Sequence, residues 1–293
     1  MEQETRTARD AGAPVKIGAE AVRAAAEVLR RYRAGKQNLD RRIIDNEQFW
    51  KLRHWEQMEK AGEGGNPEDV RPASGWLVNC ILSKHADAMD CYPEPTVLPR
   101  EPGDRQEAET LSRILPVLLK NDRFRRTYSK AWWDKLKSGC AVYGVFWDNE
   151  KLHGLGDVSI RSMDVLNLFW EPGVTDIQES EHFFCTELVP NNHLVRRWPE
   201  LEGKLGRGGA QVSRYLFDDK VDTSEQSLVV DWYYHTEQEG RQVLQYCKFV
   251  GEEVLYATEN DPEMAERGWY DHGKYPFVFD VLFPEEGTPG GYG

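Results

Sequence analysis

The sequence contains no long apolar run. Its longest uninterrupted hydrophobic stretches are a few residues, against the ~20 that a membrane-spanning helix requires. Cysteine is scarce: Cys80, Cys91, Cys140, Cys185 and Cys247 are the 5 in 293 residues, and no CxxC occurs. An odd number at wide spacing argues against a disulfide framework or a zinc site. It points to reduced, buried thiols in a reducing cytoplasm. Basic residues are scarce toward the C-terminus. Residues 215–293 hold 5 basic and 17 acidic side chains, a net of −12 out of −13 for the chain. A nonspecific nucleic-acid clamp needs an excess of Lys and Arg, so this third argues against one. Met1–Pro14 lacks the apolar stretch of a secretory signal, and the expectation is a protein made and kept in the cytosol.

Chemical signatures are equally sparse. There is no GxSxG. The glycine-rich Gly154-Leu155-Gly156 and Gly206-Arg207-Gly208-Gly209 lack the Lys-Ser/Thr and the strand-to-helix setting of a phosphate loop, and read as turns. The seven histidines (His54, His85, His153, His182, His193, His235 and His272) are scattered and single out no triad. His182-x-x-Cys185 and Asp87-x-x-Asp90 have ligand-like spacing, but no second pair stands close. On a strand, i and i+3 also point to opposite faces. The carboxylate pairs Glu179/Glu181, Glu252/Glu253 and Asp218/Asp219 are too numerous to mark a glycosidase centre and read as solvated faces. No catalytic, cofactor or metal residue is assigned, and the expectation is a non-enzyme without cofactor.

What is abundant is aromatic: 10 Trp, 12 Tyr and 11 Phe, too many large apolar groups for a disordered chain. Apolar spacing of three and four predicts a helix from Ile17 to Gly35 on Val22, Ala25, Ala26, Leu29 and Tyr32. Further helices are expected at 38–60, at 72–90, after Asp104 on Ala108, Leu111, Ile114, Leu115 and Leu118, and at 123–138. Asp104 and Glu107 are expected to form a capping box, Pro116 to kink or end its helix, and Gly139 to close the last one. Between the third and fourth helices, four prolines in Tyr92–Pro102 dictate an extended segment. From Cys140 the period changes to strands at 140–148, 157–163, 166–170, 182–189, 228–235, 243–250, 254–257 and 277–283, with a short helix at 191–198. Loops are expected at 61–67, 203–209, 237–240 and 260–268.

The fold class is therefore α+β, helices first and strands after. Its expected parts are a polar tail and first helix (1–37), a helical part (38–139), a mixed β/short-helix part (140–222) and an acidic β-rich part (223–293). The stretch Arg123, Arg125, Arg126, Lys130, Lys135 and Lys137, interleaved with Phe124, Tyr128, Trp132 and Trp133, has the composition of a nucleic-acid surface. At helical spacing, however, it reads more simply as core aromatics with cations on the wet face. Trp50, Trp55, Trp76, Trp132, Trp133, Trp147 and Trp170 are candidates for core or subunit interface.

The order of these segments resembles a known family. The run CYPEPTVLPRE (Cys91–Glu101) follows an amphipathic helix and precedes two more, then SGCAVYGVFWD (Ser138–Asp148), GLGDVSIRSMDVLNLFW (Gly154–Trp170) and EPGVTDIQES (Glu171–Ser180). This resembles the N-terminal wing region of tailed-phage portal proteins of the short-tailed type. YPFVFDVLFPEEGTPGGYG (Tyr275–Gly293) is similar to the strand and turn before the portal's tunnel-forming stem. The resemblance implies a non-enzymatic virion protein, assembled in the host cytoplasm as a ring, usually a dodecamer, at one capsid vertex. Through it double-stranded DNA is packaged by the terminase and later ejected. Head and tail-adaptor proteins would be its neighbours, and no membrane is involved. It also implies a stem beyond a segment like Gly287–Gly293, so a fragment, a truncated frame or an unusually short relative is expected, and no DNA-contact residue is carried over. The alternative is a carbohydrate-binding or glycoside-hydrolase-like protein using exposed aromatics and carboxylate pairs.

Overall fold

The computed structural model describes residues 16–55, 72–205, 225–238 and 240–292. The expected tail at 1–15, the loop at 61–67, the end of the helix at 38–60, most of the 203–209 loop and Asp218/Asp219 lie outside them.

Helices come first, among the described residues α1 (Ala19–Gly35), α2 (Gln37–Trp50), α3 (Trp76–Asp90), α4 (Arg105–Asn121) and α5 (Phe124–Ser138). Strands follow: β1 (Cys140–Asp148), β2 (Asp157–Met163), β3 (Leu168–Trp170) and β4 (His182–Pro190). After the short helix α6 (Asn191–Arg197) come β5 (Gln226–Gln238), β6 (Arg241–Val250), β7 (Glu253–Ala257), β8 (Phe277–Val281), β9 (Phe283–Pro284) and β10 (Gly291–Tyr292). This is the α+β order expected.

Several boundaries differ from the expectation, and four departures have a local physical reason. Helix α2 stops at Trp50. Leu52 takes a left-handed φ of 61°, while Arg53 N donates to Gln48 O and Leu52 N to Phe49 O. That is a Schellman closure without its usual glycine. Asp104 does not cap α4. Its carboxylate accepts from Glu101 N at 3.2 Å, and the capping box closes a single turn at Pro102–Asp104 instead. Helix α4 runs through Pro116 to Asn121. Pro116 is exposed, so water can solvate the carbonyl its missing N–H leaves unpaired. The 237–240 loop begins later than expected, because β5 and β6 pair as far as Gln238 and Arg241.

The strands form two antiparallel sheets. One has three strands in the order β2-β1-β8, the other five in the order β3-β4-β5-β6-β7. Alternation along β1 decides the layers. Cys140, Val142 and Phe146 face the core shared with the five-stranded sheet, where they meet Phe183, Tyr233, Tyr246 and Phe277. The opposite face carries Tyr143, which meets Phe124 of α5 at 5.9 Å between ring centroids. On the far side of the five-stranded sheet, Phe184, Trp232, Cys247 and Phe249 pack with Val22, Ala25 and Tyr32 of α1. The layers run helical (α3, α4, α5), three-stranded sheet, five-stranded sheet, α1.

At the junction of α1 and α2, Lys36 is buried. Its Nζ lies 2.9 Å from Asp40, donates to Val165 O, and sits 4.7 Å over the Phe169 ring. Burial pulls its pKa down, with Asp40 partly opposing. The charge therefore anchors the helical hairpin to the sheet edge at a desolvation cost that the pair only partly offsets.

Candidate assembly surface

The stretch singled out by composition is α5, and the structure divides it. Lys135 and Lys137 are not on the wet face. Lys135 pairs with Asp280 of β8 at 2.6 Å and lies 4.6 Å over the Trp132 ring. Lys137 pairs with Glu47 of α2 at 2.7 Å. Both are inward staples, their stems covering apolar surface while their ammonium groups find carboxylates. Arg123, Arg125, Arg126 and Lys130 are exposed, and none of them forms an ion pair among the described residues. The aromatics form a chain between the layers. Tyr92 of the proline-rich segment meets Tyr128 edge-on at 5.2 Å, Tyr128 meets Trp132 at 6.2 Å, and Trp133 stacks on His85 of α3 at 4.1 Å. These rings hold α3 and the extended segment onto α5 and are only partly covered.

Beside the cations stands the β1–β2 connection. Leu152 and His153 both take left-handed φ, 51° and 59°, a conformation costing about 1–2 kcal/mol per L-residue. It leaves Leu155 81% exposed and Leu152 half exposed. The tip is tied down. Lys151 Nζ pairs with Asp122 at the foot of α5 and donates to Val158 O at 2.8 Å, and Asp122 accepts from Ile160 N at 2.8 Å. Gly154-Leu155-Gly156 is part of this turn. Composition gave no signal for the left-handed pair or for the role of Asp122, since neither leucine nor an isolated aspartate marks such a turn.

Other apolar surface lies on the helical layer. Helix α3 buries only Ile81 and Ala88, leaving Trp76, Leu77 and Leu82 exposed. Helix α4 buries only Ala108. Leu111, Ile114 and Val117 are exposed. Of the tryptophan candidates, Trp170 is buried, Trp132 and Trp133 are partly buried, and Trp76 and Trp147 are exposed.

The ligand-like pairs stay apart. His182 Nδ1 accepts from Trp232 Nε1 at 3.3 Å within a ring of Tyr32, Phe184 and Tyr234. Cys185 is buried on the other face of the same strand, and burial raises its thiol pKa. Cys140 and Cys247 are pushed up to about 12 by the same cause. Asp87 pairs with Lys84 at 3.8 Å. Glu252 and Glu253 pair with Arg23 and Lys204, and Glu179 and Glu181 are exposed. Among the described residues no three His, Cys, Asp or Glu side chains are grouped to hold a metal, and no helix is long and apolar enough to cross a membrane.

The geometry is that of a two-sheet body with a shared core, carrying an under-buried helical layer with exposed apolar and cationic side chains, which suits assembly. No curated protein matches the sequence. The family model for the Phage P22-like portal protein matches residues 86–276, from α3 through the proline-rich segment and both sheets to the threshold of β8. A match over well more than half of the 293 residues places this chain in the phage P22-like portal protein family, a family of structural virion proteins.

Proposed function

We propose that this chain is a subunit of the ring at a capsid vertex through which double-stranded DNA is packaged and ejected, with no catalytic step of its own. The single observation that carries the reading is the match to the portal family over residues 86–276. The helical layer supports it, because it leaves apolar side chains such as Leu111, Ile114 and Val117 uncovered, as befits a surface that a neighbouring subunit would bury. On this reading residues 38–139 and 140–222 form the wing, and 223–293 form the acidic β-rich part leading toward a stem. The neighbours are further copies of the chain in an approximately dodecameric ring, the terminase, and head and tail-adaptor proteins. Assembly takes place in the host cytoplasm.

Negative-stain electron microscopy of the product of the intact reading frame tests this. Rings with a central channel are expected. A monodisperse monomer at all concentrations would remove the ring.

A further inference from the structure

We propose that the cationic start of α5 and the adjoining Leu152–Leu155 tip form one half of a head-to-tail contact, and that the other half is the acidic segment after β7 on a second copy of this chain. The inference rests on the ring reading and names the surfaces that would make it.

The first half combines two independent features. Arg123, Arg125, Arg126 and Lys130 are exposed without ion pairs among the described residues, whereas the nearby Lys135, Lys137 and Lys151 are all paired. Next to them, the Lys151–Asp122 pair holds a turn whose left-handed backbone turns two leucines out to solvent. Backbone strain that the surroundings maintain is a pointer to function. An apolar centre edged by arginines is the composition of a protein interface.

The second half has the opposite charge and is equally well held. Glu263 and Glu266 are exposed and form no ion pair among the described residues. Their segment is pinned by Asn260, which exchanges hydrogen bonds with Ile17 N and O, and by Ala265 O, which accepts from Gln238 and Gln245. Arg267, the cation in this segment, is already taken by Asp271 at 2.6 Å.

Placement makes the contact intermolecular. Helix α5 lies outside the three-stranded sheet. The acidic segment lies beyond the five-stranded sheet on the α1 side, where Glu259 accepts from the Tyr234 hydroxyl. The two halves rest on different layers, and among the described residues no ion pair joins them within one subunit. Two different complementary surfaces on one protomer give a heterologous contact, and such contacts close into rings when the rotation allows. A formal charge of −13 works against duplex DNA as the occupant of the cationic face, because the whole chain repels a polyanion.

The test is sedimentation velocity of the full 293-residue chain, from about 0.05 to about 0.5 M NaCl. Concentration-dependent association is expected, weakened about tenfold or more at the high-salt end. Arg125→Glu/Arg126→Glu should abolish it, as should Glu263→Arg/Glu266→Arg, and the fourfold variant should restore it. Leu155→Ser, at a site with nothing to unfold, should weaken association while leaving the thermal melt unchanged. Association indifferent to both charge reversals overturns the proposal, as does a wild-type chain that stays monomeric at low salt. Duplex DNA binding that is lost with Arg125 and Arg126 also overturns it. Rings formed by the intact reading frame carrying either reversal would sink this contact while leaving the portal reading standing.

Discussion

At the scale of single residues, the informative side chains are buried polar ones. His182 takes a proton reluctantly because burial disfavours the cation, with Glu181 and Glu171 partly opposing and Arg31 adding to the effect. The Trp232 indole N–H already occupies Nδ1, so a proton there would face another donor. The folded pKa lies below the unfolded value of 6.5. Above that value both states are neutral and nothing is lost. As pH falls through it, the unfolded chain binds a proton the folded one refuses, and stability drops. Urea melts should show the unfolding free energy declining from about pH 7 to about pH 5, with a shallower slope in His182→Phe. His235, shifted the same way by burial, contributes to the slope that remains. An unchanged slope would show that His182 is wet. Lys36 gives a second test. Lys36→Ala strands the buried Asp40 and should cost about 3–5 kcal/mol in a urea melt. Lys36→Met/Asp40→Leu removes both charges and should stay within about 1 kcal/mol of wild type. Equal losses would mean that packing, not charge, is what Lys36 contributes.

At the scale of elements, legibility followed how local the cause was. The bounds of β1 and β2 are readable because β-branched and aromatic runs end at turn residues on both sides. The stop of α5 is readable because Gly139 is a glycine at φ 83°. The stop of α2 is not, because Leu52 does the same work without a signal. The apolar stripe of α4 is visible in sequence, but its orientation is not. Periodicity shows that a helix has an apolar side, not whether the chain supplies anything to cover it. Gly139 is constrained twice over. Besides its φ, a Cβ there would lie 2.2 Å from the Tyr292 carbonyl carbon. Gly139→Ala should therefore exceed the roughly 1–2 kcal/mol that an L-residue pays in the left-handed region and detach the Gly291–Tyr292 segment. A chemical melt measures the first and proteolysis near the C-terminus the second. A loss below that figure would show that the terminal segment simply moves aside. Phe277 joins the sheets, stacking on Phe183 at 4.5 Å and meeting Phe146 and Tyr233 edge-on. Phe277→Ala should cost about 3–5 kcal/mol. A loss under about 1 kcal/mol would mean that the site collapses around the truncation.

At the scale of the whole molecule, the order of segments was legible and carried the family resemblance, while the partition of strands into sheets was not. Strand β1 pairs with β8 across more than a hundred residues, and nothing local in either strand encodes a partner so distant. The candidate surface was half legible. Composition marked the cations of α5, yet only the fold separates Lys135 and Lys137, spent internally, from Arg123, Arg125, Arg126 and Lys130, which form no ion pair among the described residues. The layered plan has a consequence for dynamics. The sheets share a core of large buried side chains, including Phe183, Leu166, Leu168 and Leu244, whereas α3 buries two residues and α4 one. Local opening free energy follows buried apolar contact, so the helical layer should open well below the global unfolding free energy. Hydrogen exchange should therefore reach the amides of α3 and α4 first, with β5 and β6 protected until the whole domain unfolds. If assembly covers the helical layer, protection of α3 and α4 should rise in rings over the free subunit while β5 and β6 stay as they were. Uniform exchange across the layers in the free chain would show that α3 and α4 draw their stability from the aromatic chain of Tyr92, Tyr128 and Trp133, and that this partly covered seam is already as strong as the core.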